Sequence, residues 1–126
     1  MIVNSRVNKI EATREKDGPG TGLKIQIDIK DVGGKGEDVN VGYEFTAEYV
    51  EGVGKIFVAG EITDRVEKKA ADEARKMWKE KKEISPDYRL SLLNSINYVA
   101  SVEGVLASKI VRLPPPIAPP RLTKKE

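Results

Sequence analysis

The chain contains no cysteine and no histidine. Without cysteine there is no disulfide, no thiolate nucleophile and no cysteine metal site. Without histidine the commonest general base and the commonest transition-metal ligand are missing, and Ser–His and Cys–His mechanisms are excluded. Glutamine is nearly absent too, Gln26 being the only one. Lys and Glu dominate the charged residues. Together these biases match hyperthermophile composition, so a thermophilic source is expected. Charge of one sign is also lacking: the formal net charge is only +2, which argues against a nucleic-acid binder. No apolar run approaches the roughly 18 residues of a membrane helix. The stretch Met1–Arg6 shows no charged leader followed by an apolar block, and the default expectation is a cytoplasmic protein. Lys, Tyr and carboxylate chemistry remain available, but no paired acids and no isolated lysine stand out. The sequence thus shows no catalytic signature: an enzyme is not expected, and neither is a cofactor or a metal.

The 126 residues suit one domain with a single core. Its centre is a hairpin at 39–63. Val39, Val41, Tyr43, Phe45, Ala47 and Tyr49 occupy every second position, with Asn40, Gly42, Glu44, Thr46 and Glu48 between them. That is a strand with one buried face. Glu51-Gly52-Val53-Gly54 turns the chain. The return strand places Ile56, Val58 and Ile62 on one face and Phe57, Ala59 and Glu61 on the other. Upstream, Leu23, Ile25, Ile27 and Ile29 alternate with Lys24, Gln26, Asp28 and Lys30 in a second clear strand. The first strand spans residues 1–14, where the apolar phase slips between Val7 and Ile10 and calls for a β-bulge. Four successive strands with short connections predict an antiparallel meander.

Helix follows sheet. Asp64 and Glu67 fit a capping box, and Val66, Ala70, Ala74, Met77 and Trp78 form an apolar stripe at helical spacing. Ser85-Pro86 restarts a helix that runs to about residues 109–112. Leu90, Leu92, Leu93, Ile96, Tyr98, Val99, Val102, Val105, Leu106 and Ile110 make it apolar around most of its circumference, so it needs cover on more than one side. A sheet supplies one side; the first helix or a second subunit must supply another. The expected organisation is a single α+β domain over residues 1–112, a four-stranded sheet with two helices packed on it, and a proline-rich extended tail over residues 113–126. In that tail Leu113, Ile117 and Leu122 are placed to dock on the domain.

Several stretches resemble functional motifs and fit a plainer use. Residues 18–22 and 33–36 are glycine-rich, but both precede strands and neither opens a helix, so they read as turns. Asp28, Asp31, Glu37 and Asp38 match no calcium-loop spacing. Lys68, Lys69, Lys76, Lys79, Lys81 and Lys82 are interrupted by Asp and Glu and read as a solvated helix face. The aromatics Phe57, Trp78, Tyr88 and Tyr98 have two open uses, core or oligomer packing on one hand and a peptide or ligand groove on the other. Phe57 poses the question most directly, because it faces away from Ile56 and Val58.

This element order resembles the SecB-type protein-export chaperones. The matching stretches are Val41-Gly-Tyr43-Glu-Phe45-Thr-Ala-Glu-Tyr49, Lys55-Ile56-Phe57-Val58-Ala59-Gly60, and the proline-rich exit Leu113-Pro-Pro-Pro-Ile-Ala-Pro-Pro after the long helix. The resemblance implies an α+β fold that assembles into dimers or tetramers and holds non-native polypeptide in apolar grooves without hydrolysing ATP. Phe57, Trp78, Tyr88 and Tyr98 then become polypeptide-binding candidates, and Val102, Val105 and Leu106 candidates for the oligomer interface. The bacterial members are acidic where they meet the translocase. This chain is slightly basic, so the resemblance does not extend to that contact. The rival reading is a structural or adaptor subunit that uses the same helix to dock one fixed partner.

Overall fold

The structure, a computed structural model, describes residues 1–18 and 22–116. Strands β1 (Ile2–Arg14), β2 (Leu23–Gly33), β3 (Asp38–Tyr49) and β4 (Gly54–Arg65) come first, then helices α1 (Lys68–Lys81) and α2 (Pro86–Ile110). The expected β3–β4 hairpin forms with Phe45 opposite Val58 and Ala47 opposite Ile56. The two dry faces therefore coincide. Every second residue of β3 from Val39 to Tyr49 is buried, as are Ile56, Val58 and Ile62. Positive φ at the turn falls on Glu51 and Gly52. Gly54 serves a different purpose: a Cβ there would lie 2.6 Å from the Thr13 carbonyl oxygen and 2.8 Å from Leu113 Cδ1.

The sheet is fully antiparallel, but its order is β1-β4-β3-β2. Strands β2, β3 and β4 follow one another as a meander. Strand β1 joins beyond β4 instead of beside β2, which gives the Greek-key arrangement. Alternation of residue types defines a strand's faces and leaves its neighbours open, so the meander expectation held for three strands and missed the fourth. The bulge anticipated in β1 appears between Val7 and Lys9, and a second one lies between Ile2 and Asn4. Strand β2 also shifts register, between Ile29 and Asp31. The turn residues Pro19–Thr21, together with Ile117 and Leu122, lie outside the described residues.

Both helices cover the dry face of the sheet, α1 over β2 and β3, α2 against all four strands and most closely β4 and β1. Asp64 does not cap α1. Strand β4 continues through Arg65, so the Asp64 side chain points into the buried layer, and α1 begins after Glu67 without a side-chain cap. The helix is held at its middle instead. Arg75 donates to the carbonyls of Asp38 (2.7 Å) and Gly36 (2.9 Å), fastening α1 to the β2–β3 turn. Helix α2 opens at Ser85-Pro86 as expected, with proline in the first turn. It ends in a Schellman motif: Arg112 takes a left-handed φ of 57° and the Leu113 N–H reaches the Ser108 carbonyl at 2.9 Å. Its start lies near Asp64 and its end near Arg14 and Gly54, so α2 runs lengthwise and antiparallel to β4. Twenty-five residues span about 37 Å, the length of a long strand.

Leu92, Ile96, Ala100, Gly104 and Ala107 face the sheet and are buried. Ile96 is fully enclosed, whereas Ile110 is 84% exposed. Ile96→Ala is accordingly expected to lower stability by about 2–5 kcal/mol, and Ile110→Ala by about 0.5 kcal/mol at most. Urea melts check this as a shift of midpoint at unchanged slope.

Candidate functional site

The apolar stripe predicted for α1 divides in two. Trp78 packs against the core beside Ala71, a buried residue outside that stripe, while Ala70, Ala74 and Met77, with Val66 that also touches the core, turn toward the start of α2. There they line an open cavity of about 220 Å³, completed by Ser85, just before α2, and Tyr88 of α2, with Glu73 also in its wall. The cause is legible in composition. Helix α1 has no Leu, Ile or Phe, and its small alanines leave space between two helices that share one sheet. The volume falls below the roughly 300 Å³ at the low end of small-molecule sites. It suits a large apolar side chain of a longer ligand. Glu73 is the one carboxylate among the lining residues.

Tyr88 owes its position to Asp64. The phenol donates to Asp64 Oδ2 at 2.8 Å, and the Met1 ammonium donates to Oδ1 at 2.7 Å. A buried carboxylate thus ties the head of α2 to the end of β4 and the start of β1, and its partners offset the cost of burying its charge. Burial pushes the Tyr88 phenol far above its ordinary value, with the Asp64 hydrogen bond and charge adding to the effect. Burial also raises Tyr43, helped by the charge of Glu103, and pushes Tyr49 up to about 12.

The four aromatics singled out in the sequence are not gathered into one groove. Tyr88 lines the cavity. Trp78 lies half-buried on α1, with Lys82 Nζ 5.7 Å from its ring centroid and its indole N–H enclosed without an acceptor among the described residues. Phe57 sits on the other sheet face, opposite Thr46 and Glu11, beneath Lys9 Nζ at 5.9 Å. Tyr98 stands on the back of α2, 75% exposed, in one line with Val102 (52%), Leu106 (59%) and Ile110 (84%). Their spacing of four places them together, opposite the residues that face the sheet. Val105 is half-buried on the flank of that line. Periodicity puts Met77, Ala70 and Ala74 on the apolar stripe of α1; the missing bulk on that helix is the signal that marks them as cavity wall.

The folded chain holds Tyr43, Tyr49 and Tyr88 protonated, whereas unfolded phenols ionise near pH ~10. Their contribution to stability is complete below that pH and is lost as pH rises through the raised native values. The expected result is alkaline unfolding between pH about 10 and 12, with tyrosinate absorbance at 295 nm from these three residues rising with the unfolding transition. Tyr88→Phe should cost about 1–2 kcal/mol at neutral pH and make the alkaline loss shallower.

No protein-family model matches the chain, and no curated protein matches its sequence. Among solved structures it is similar to the Mycobacterium tuberculosis Rv1957 SecB-like chaperone, in complex with a ChAD peptide from the Rv1956 HigA1 antitoxin. The two share 13% sequence identity and a TM-score of 0.63, over 94% of this chain and 87% of that one. The likeness is one of fold. This chain has the α+β architecture of a SecB-like chaperone, a four-stranded antiparallel sheet followed by two helices on one face.

Proposed function

We propose that this chain binds unfolded or extended polypeptide without a cofactor and without catalysis, as a subunit of a homo-oligomer. The observation that carries the reading is the open apolar cavity between α1 and α2, walled by Met77 and Tyr88, on a SecB-like fold. The similar mycobacterial chaperone is in complex with a peptide, and peptide binding is carried over to this chain on that likeness. Methionine is unbranched and polarisable, which lets one pocket accept different apolar side chains. Ala70 and Ala74 let a ligand backbone come close to α1. Glu73 favours clients with a cationic residue beside the apolar one. Tyr88 and Met77 contact the client in this reading, and Trp78 backs the α1 wall. Phe57, on the other sheet face, forms a separate contact.

The back of α2 has a different role. Tyr98, Val102, Leu106 and Ile110 form an exposed apolar line on a helix whose opposite face is already buried. A second copy of the chain covers it in this proposal, with Val105 at the margin, and Tyr98 belongs with this set rather than with the groove. A structural subunit that docks one fixed partner through the same line is the alternative, and the client assay separates the two.

At stoichiometric ratios the purified chain is expected to slow aggregation of a chemically denatured client, measured by light scattering. Met77→Asp should remove most of that effect at unchanged fold, and an inactive parent chain would sink the chaperone reading. Leu106→Asp combined with Val102→Asp should shift the assembly toward monomer in sedimentation experiments. A monomeric parent chain would exclude the homo-oligomer.

A further inference from the structure

Beyond the last turn of α2 the chain reverses, and Leu113–Pro116 runs back against the fold at the end of the molecule opposite the α1–α2 cavity. Leu113 and Pro116 are buried. Two glycines make their seats. A Cβ on Gly54 would lie 2.8 Å from Leu113 Cδ1, and one on Gly104 would lie 2.7 Å from Pro116 Cγ and 3.9 Å from Ile56 Cγ2. The Tyr49 hydroxyl donates to the Pro114 carbonyl. On the rim, Arg14 donates through Nε to the Val111 carbonyl at 2.9 Å, through Nη1 to the Lys16 carbonyl at 3.1 Å, and through Nη2 to the Arg112 carbonyl. A closely packed wall, a single phenolic donor and an arginine that fixes the entry are the parts of a built peptide site.

The chemistry of the seat selects its occupant. Tyr49 offers a hydrogen to a backbone carbonyl, and the wall at Gly104 and Ile56 is apolar. An ordinary peptide would carry N–H groups into that wall and leave them unpaired. Prolines bring carbonyls and no N–H. A proline run is also extended before it binds, so little conformational freedom is lost on docking. We propose that the seat formed by Gly54, Gly104, Ile56 and Tyr49 is a recognition site for extended proline-rich segments, held in this chain by its own Leu113–Pro116. The tethered segment acts as a competitor at high effective concentration, and a proline-rich segment from another chain takes the seat when it is displaced. This site is separate from the α1–α2 cavity, and it stands whether or not that cavity holds clients.

The test uses the 126-residue chain, ¹⁵N-labelled, and a capped peptide with the sequence of residues 113–121. In an L113D/P116D variant the tethered segment no longer fits, and the peptide is expected to bind at least tenfold more tightly than it does to the parent chain. Amide shifts should centre on Gly54, Gly104 and Tyr49. Adding Tyr49→Phe to that variant should weaken binding about fivefold through loss of one hydrogen bond. Equal affinity for parent and variant would overturn the proposal, as would equal binding of a peptide in which every proline is alanine. Should the variant fail to fold, the parent chain decides alone. Hydrogen exchange at the Leu113 amide, which bonds to Ser108, rises with millimolar peptide if the seat is exchangeable, and an unchanged rate overturns the proposal.

Discussion

The dry face shared by β3 and β4 is the constraint on which the rest of the molecule depends. Phe45 opposite Val58 and Ala47 opposite Ile56 put both apolar sets on one side of the sheet. A one-residue slip would send every one of those side chains to the other face, so the register is strongly specified. With that face defined, both helices have a single place to pack. The outer face keeps Glu44, Thr46, Lys55 and Glu61 toward solvent, with Phe57 among them. The cross-strand ion pairs Arg6–Glu61 and Lys30–Glu44, at 3.4 and 3.8 Å, are exposed and add little to stability.

Helix α2 turns that one-sided sheet into a molecule with spare apolar surface. Small residues at Ala100, Gly104 and Ala107 let it lie close along β4, while the helical phase points Tyr98, Val102 and Leu106 outward. Three anchors hold it in register: Tyr88 on Asp64 at its head, Arg14 on its terminal carbonyls, and the reversed Leu113 on Ser108 at its tail. Helix α1 has the opposite character. Its alanines pack thinly, and the space they leave becomes the cavity. A slender helix beside a broad one, both fixed on a common sheet, leaves an apolar hollow between them.

The sequence by itself determined the elements and their faces. Period-two alternation placed the strands, the phase slip after Val7 announced a bulge, and Ser85-Pro86 marked the start of α2. Apolar residues around α2 announced more apolar surface than one buried face, and Tyr98, Val102, Leu106 and Ile110 are the exposed remainder. All of these are local properties, set by side-chain periodicity and backbone chemistry. What the tertiary structure alone decided is partnership. It joined β1 to β4, took Asp64 away from the helix cap to serve Tyr88, and split the α1 stripe between core and cavity. It also separated Phe57, Trp78, Tyr88 and Tyr98, which share a residue class but not a location. Periodicity tells which way a side chain points from its own backbone. Which neighbour it meets depends on strand order and helix placement, and those follow from how the whole chain closes on its one dry face.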